Sequence, residues 1–166
     1  MTLNEYIVEH FYGRLEAGKH QPDGKACILE AVSAWKNMSW TDNPEVLNTW
    51  DLRPLNDIAV PSDLRTHWMP QVYAAYADCR NWPVDRKQTV VISLILALVR
   101  EIIAEMPGLH EPIRNQCRQV HTLSEAARAA EKAAAVAAAA AAAAAEAEAA
   151  EIFIKVCKLW IQAATS

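Results

Sequence analysis

The sequence predicts an all-α protein: a bundle of short helices with a central apolar helix and one long alanine-rich helix at its C-terminal end. Three observations indicate this class. Glycine is scarce, with 4 residues in 166, and β-branched runs are confined to one short segment. Alanine, the strongest helix former, dominates residues 126–151. We place the bundle in residues 1–120 and the alanine-rich helix in residues 121–166.

The first two helices are predicted from a capping motif and from apolar spacing. Thr2 and Glu5 form a T-x-x-E capping box, and the helix that it opens is expected to end at Gly18. A second helix is expected over residues 25–38, where apolar residues recur at intervals of three and four.

The next helix boundary is marked by Asn43 and Pro44. Asn43 is a favourable N-cap, and proline suits the first helical turn because the amide hydrogen that it lacks has no partner there. The third helix should therefore begin here, with Val46 among its inward residues. Pro54 is expected to break or kink it.

Two further prolines are expected to divide the middle of the chain. A short helix opens at Ser62 and should end before Pro70, which then starts a segment that reaches about residue 80. The most apolar helix follows over residues 86–106. Because it is apolar nearly all round, we expect it at the centre of the bundle. A short helix is expected over residues 112–120.

The long alanine-rich helix opens at a second T-x-x-E box, Thr122 to Glu125. No proline or glycine interrupts residues 123–166, so a single helix of about 40 residues, ~60 Å long, is permitted. Its centre has no polar side chain. Three interpretations follow: packing within its own domain, self-association, or a loosely held tail. The residues expected at a self-association contact are Val136, Ala137, Ala141, Ala144 and Ala145.

Composition and charge limit the classes of partner. The formal net charge of −4 and the pI of about 5.7 argue against nucleic-acid binding by bulk electrostatics. The longest apolar run, residues 90–99, is about half the ~20 residues that span a bilayer. The N-terminus lacks the pattern of a secretory signal, and the four cysteines form no CxxC pair. We expect a cytoplasmic protein without cofactor, metal or membrane contact.

One group of polar residues is a candidate pocket. Carboxylates, an amide and a thiol can together bind a small ligand or carry acid–base chemistry, provided that they face one cavity. A carboxylate near a thiol raises the thiol pKa, so no catalytic nucleophile is predicted. The candidate pocket residues are Cys27, Glu30, Asp42, Asn56 and Asp57.

A second group is a candidate partner-binding surface. Tryptophan and arginine are enriched at the energetic centres of protein interfaces, and both are concentrated between residues 40 and 86. The acidic net charge favours a protein over a nucleic acid as the partner. The alternative is that these tryptophans form the core of a small bundle. The candidate residues are Trp40, Trp50, Arg53, Arg65, Trp68 and Trp82.

Three short segments carry a resemblance to a family. The chain contains G-K-A-C-I-L-E-A-V at residues 24–32, W-T-D-N-P at 40–44 and L-N-D at 55–57, followed by the alanine-rich tail. In this order it resembles an uncharacterised family of small helical proteins in bacteriophage and bacterial genomes. The matching positions are Lys25, Cys27, Glu30, Asp42, Pro44, Asn56 and Asp57. The resemblance implies a phage or mobile-element origin.

These observations predict a non-enzymatic helical protein that binds another protein. It would be phage- or mobile-element-encoded, would inhibit or modulate a host process, and would self-associate through the alanine-rich helix. The alternative is an enzyme or small-ligand-binding protein that uses the polar group around Cys27 and Glu30.

Overall fold

The structure, a computed structural model, describes residues 1–58, 60–106, 108–140 and 146–166. It describes the side chains of all these residues except 137–140 and 146–149. Every regular element in these residues is helical. The all-α prediction is confirmed. The chain forms two compact units, Met1–Trp82 and Pro83–Ser166.

The first unit contains five α-helices and one 3-10 turn in its described residues. They are α1 (Leu3–Phe11), α2 (Ile28–Trp35), α3 (Pro44–Leu47), α4 (Arg53–Asn56), α5 (Ser62–Tyr76) and the turn Cys79–Asn81. Helix α2 contacts α1, α3 and α5. Ile28, Leu29, Ala31 and Val32 are fully buried, so α2 forms the middle of this unit.

Helix α1 begins as the sequence predicts. The Thr2 amide donates to Glu5 Oε2 at 2.7 Å, and the Glu5 amide donates to Thr2 Oγ1 at 3.3 Å, which completes the capping box. The predicted end at Gly18 is wrong. The helix ends at Phe11, because Tyr12 adopts the left-handed conformation (φ 55°).

The prolines of α3 and α4 act at helix starts. Asn43 Oδ1 accepts from the Glu45 amide at 2.9 Å, and this confirms the predicted cap of α3. Val46 is 53% exposed instead of facing inward. Helix α3 already ends at Leu47, before Pro54 is reached. Pro54 lies in the first turn of the separate helix α4.

The predicted break at Pro70 is wrong, since α5 continues through it to Tyr76. Proline in a helix interior removes one backbone hydrogen bond. Tertiary packing overrides this cost here. The residues around the proline are buried against the rest of the unit: Met69, Pro70, Val72, Tyr73 and Tyr76.

The second unit contains four α-helices and one 3-10 turn in its described residues. They are α6 (Val84–Glu101), the turn Ile103–Glu105, α7 (Glu111–Arg118), α8 (Leu123–Ala140) and α9 (Glu146–Thr165). Helix α6 contacts α7, α8 and α9. The predicted boundary lies at residue 120, whereas the two compact units divide after Trp82; α8 contacts α6 and α7, and α9 contacts α6.

Helix α6 is central to the second unit but is not buried all round. Ile92 is 39% exposed and Ile95 is 37% exposed, whereas Val90, Leu94 and Val99 are buried. The neighbouring helices cover only part of its circumference. None of the helices in the described ranges combines the length and hydropathy needed to cross a membrane.

The first half of the alanine-rich region packs within its own unit. Ala126, Ala129 and Ala133 are at most 1% exposed and share a core with Val99 and Cys117. The box that opens α8 is confirmed, since the Glu125 amide donates to Thr122 Oγ1 at 3.2 Å. The prediction of one uninterrupted helix depends on residues 141–145, which lie outside the described residues.

Candidate functional site

The candidate pocket residue Glu30 is fully buried and holds a loop. Its carboxylate accepts from the His20 amide at 2.6 Å and from the Cys27 amide at 2.8 Å. His20 Nδ1 lies within hydrogen-bond distance of the same carboxylate, at 2.9 Å. Hydrogen bonds to an ionised acceptor are the strong kind, and three of them offset the burial of this charge.

Three other candidate pocket residues contact the same loop. Asp57 Oδ1 accepts from the Gly18 amide at 2.9 Å, and Asn56 Nδ2 donates to the Glu16 carbonyl at 3.4 Å. The Asp42 carboxylate lies 3.6 Å from Lys19 Nζ. The residues predicted to form a pocket are therefore close together around residues 16–20, where they hold a loop, and none of them lines the hollows of this unit described below.

The remaining member of this group, Cys27, caps helix α2. The pKa of its thiol is raised to about 12, mainly by burial and to a smaller extent by the charge of the neighbouring Glu30 carboxylate. A thiol that stays protonated at neutral pH is a poor nucleophile. All four cysteines are buried and free. In the described part of the chain no three His, Cys, Asp or Glu side chains are grouped to hold a metal ion.

The candidate partner-binding tryptophans are dispersed among structural contacts. Trp40 Nε1 donates to the His20 carbonyl at 2.9 Å. Trp50 packs edge-on against Tyr76 and lies beside Trp82, with ring centroids 5.2 and 6.5 Å away. Trp68 contacts the neighbouring His67 ring. Trp50 and Trp82 are therefore grouped around Tyr76, and each of the four tryptophans is half-buried.

The two candidate arginines have opposite environments. Arg53 is exposed and pairs with Asp51, with two contacts of 2.8 Å. Arg65 is only 2% exposed, and its guanidinium donates to the Asn56 carbonyl at 3.0 Å and to the Ile58 carbonyl at 2.9 Å. Burial lowers the pKa of Arg65. A partner-contacting role for Arg65 is therefore wrong for the folded chain.

The candidate self-association residues are only partly described. Val136 is half-buried against the core of the second unit. The side chain of Ala137, and residues Ala141, Ala144 and Ala145, lie outside the described residues.

A hollow that the sequence did not predict lies between α1 and α5. One part has a volume of about 540 Å³ and is open to solvent. Its lining is mostly apolar and includes Leu3, Trp35, Tyr73, Ala74 and Ala77. Clefts of this size and lining are the usual sites at which proteins bind other molecules.

A second hollow of about 500 Å³ continues the first along the same two helices. The two hollows adjoin at Asn4 and Gln71, which line both. Along α5 and its C-terminal cap residue, the combined lining extends from Asp63 to Ala77, a distance of about 21 Å along the helix axis. We call this feature the α1–α5 groove.

The α1–α5 groove has charged ends and an apolar rim. Lys36 lines one end, where its Nζ lies 5.8 Å from the centre of the Tyr73 ring, and Asp63 lines the other end. Val8, on the rim, is 66% exposed.

Sequence reasoning missed the groove because it divided α5 at Pro70. Residues 63, 66, 67, 70, 71, 74 and 77 recur at intervals of one helical turn, and this pattern is visible only if the helix continues through the proline.

No protein-family model matches this chain, and no curated protein or solved structure matches it. The resemblance in residues 24–57 therefore stays a hypothesis about origin. The function has to be inferred from the geometry of the site.

Proposed function

We propose that this protein is a non-enzymatic protein-binding module whose partner docks in the α1–α5 groove. The observation that supports this proposal is the long, mostly apolar hollow with Val8 exposed on its rim. Interface centres combine such an apolar floor with a polar boundary. Asn4, Gln71, Lys36 and Asp63 provide the polar groups.

The shape of the groove favours a macromolecule over a small ligand. Small-molecule sites bury most of the ligand surface in a closed cleft. The α1–α5 groove is open and about 21 Å long, so a small molecule would leave most of it uncovered. A segment of another protein would cover its whole length.

The wider proposal keeps the predicted origin and role. The resemblance to phage and bacterial proteins supports a mobile-element origin. Small size and acidity fit the inhibition or modulation of a host process in the cytoplasm. Self-association through the alanine-rich region is a separate part of the proposal, because the groove belongs to the first unit and the alanine-rich region to the second.

The enzyme or small-ligand alternative has less support. Glu30, Asp42, Asn56 and Asp57 are committed to the loop at residues 16–20, and the Cys27 thiol is buried and protonated. Apart from the buried Asn56 Oδ1, which has no hydrogen-bond partner among the described residues, these groups would have to leave their present contacts before they could bind a ligand.

The experiment is a comparative capture. The intact protein and an Ala74→Arg variant are immobilised, exposed to lysate from the source cells, and the captured proteins are quantified by mass spectrometry. Ala74 is exposed and lines the groove, so arginine blocks the groove without disturbing the core. We expect at least a tenfold loss of one stoichiometric partner.

The matched control is Ala127→Arg, the same substitution at an exposed helical alanine of the second unit. It should retain the partner. Circular dichroism shows whether both variants are folded. Capture of the same proteins at the same levels by the intact protein and by Ala74→Arg would contradict the proposed function.

A further inference from the structure

We infer that the α1–α5 groove receives one amphipathic helix of about four turns, which lies parallel to α5 with its N-terminus at Asp63 and its C-terminus at Lys36. The inference rests on the proposed function, because it specifies the partner segment that binds in the same groove.

The first reason is the hydrogen bonding of the partner's backbone. The groove is bordered by helices, whose backbone groups beyond the first turn are already paired, and the described part of the chain contains no strand that could pair with an extended peptide along its length. Buried N–H and C=O groups of an extended peptide would lack partners, at considerable cost in free energy. A helix satisfies these groups internally, as in other helix-in-groove interfaces.

The second reason is that two side-chain donors on the groove wall are already engaged. A polyproline peptide has no internal hydrogen bonds and docks on aromatic grooves through its exposed carbonyls. Trp35 Nε1 donates to the Met1 carbonyl at 3.2 Å, and Gln71 Nε2 donates to the His67 carbonyl at 2.8 Å. Both groups would have to give up these bonds to receive a polyproline peptide.

The third reason is length. The lining of α5 covers about 21 Å, which equals 14 residues of a helix at 1.5 Å per residue. A partner helix of this length presents one apolar stripe with anchors at positions i, i+4, i+7 and i+11. The small side chains of Ala74 and Ala77 allow the partner helix to approach closely in the hollow that Lys36 also lines.

The orientation follows from charge. A helix carries about half a positive charge at its N-terminus and half a negative charge at its C-terminus. Asp63 therefore attracts the N-terminal end and Lys36 the C-terminal end. Helix α5 itself begins at Ser62, so the partner runs parallel to α5. A basic side chain facing Asp63 and an acidic one facing Lys36 complete the complementarity.

The test uses three synthetic 16-residue peptides with capped ends. The first carries leucine at the four anchor positions, alanine and glutamine elsewhere, lysine in the first turn and glutamate in the last. The second exchanges the lysine and the glutamate. The third contains two central prolines. Each is titrated into the full ¹⁵N-labelled chain, and amide shifts give both the site and the affinity.

We expect amide chemical-shift changes in α1, α5 and the end of α2. The first peptide should bind at least threefold more tightly than the second. The third peptide should bind at least tenfold more weakly than the first. A Lys36→Glu, Asp63→Lys variant should invert the preference between the first two. Both residues are exposed, so this variant should fold, and circular dichroism checks it.

Equal binding of the proline peptide, an unchanged preference in the double variant, or the lack of shifts in the groove would each overturn the inference. If Ala74→Arg still loses a lysate partner, the proposed function stands and only the helical partner is wrong. If Ala74→Arg loses nothing, the proposed function fails as well.

Discussion

The imidazole Nδ1 of His20 lies 2.9 Å from Glu30 Oε2, a carboxylate oxygen of a side chain with no solvent exposure. The pair connects the loop between α1 and α2 to the first turn of α2. Because the backbone amides of His20 and Cys27 bind the same carboxylate, Glu30 fixes both ends of residues 20–27.

Glu30→Gln should destabilise the first unit. The amide removes the charge and places an NH₂ group against buried donors, so we expect a loss of about 2–4 kcal/mol in the free energy of unfolding. Urea unfolding followed by tryptophan fluorescence measures it. Glu9→Gln, at an exposed position of α1, is the control. Equal midpoints for the two variants would argue against this role of Glu30.

Arg65→Met and Arg53→Met form a matched pair. Removing the buried guanidinium leaves the Asn56 and Ile58 carbonyls without their donor, at a cost of about 2–4 kcal/mol. Arg53 lies at the surface, where ion pairs contribute little. Thermal unfolding should therefore show a much lower Tm for Arg65→Met only. A similar Tm for both would contradict the buried role of Arg65.

Ala129→Leu tests whether the alanine-rich region packs within its own unit. Ala129 is fully buried, so a larger side chain should destabilise the second unit by about 1–3 kcal/mol. Ala127→Leu, at an exposed position on α8, should be nearly neutral. Amide hydrogen exchange in α8 distinguishes them. Unchanged protection in Ala129→Leu would favour a loosely held segment.

Substitution of Ala137, Ala141 and Ala144 by glutamate tests self-association. Three carboxylates at an apolar contact between copies are costly to bury, so an oligomer should dissociate, and light scattering should report the mass of one chain. The intact protein is measured at the same concentration. A single-chain mass for the intact protein would remove self-association from the proposed function.

The stability of the second unit should depend on Glu125 below neutral pH. The His121 and Thr122 amides donate to its carboxylate, which lowers the pKa of Glu125 below its ordinary value. A lowered pKa in the folded state stabilises the protein above the unfolded-state pKa of about 4.3, and this contribution is lost as pH falls through the folded value.

Glu125→Gln should therefore be less stable than the intact protein at pH 6, and the difference should narrow as pH falls below about 4. Chemical unfolding at several pH values measures the difference. Glu131→Gln, at an exposed position of α8, is the control. A constant gap between Glu125→Gln and the intact protein across this range would contradict the assignment.

Much of the local structure can be predicted because it depends on neighbouring residues. Each cap pairs its side chain with backbone groups no more than three residues away, so it can be recognised in the sequence. This holds for the capping boxes at Thr2 and Thr122 and for the cap at Asn43. The polar group around Glu30 was also predicted to converge. Its use as loop anchors was not, since that depends on where residues 16–20 return in space.

The amino-acid sequence alone was enough to predict the all-α class and most helix starts, because composition, caps and prolines act locally. The packed structure was needed to show that α5 continues through Pro70, that Arg65 is buried while Arg53 is exposed, and that α1 and α5 leave a groove between them. These features depend on packing between residues far apart in the chain, and its free energy overrides local propensity.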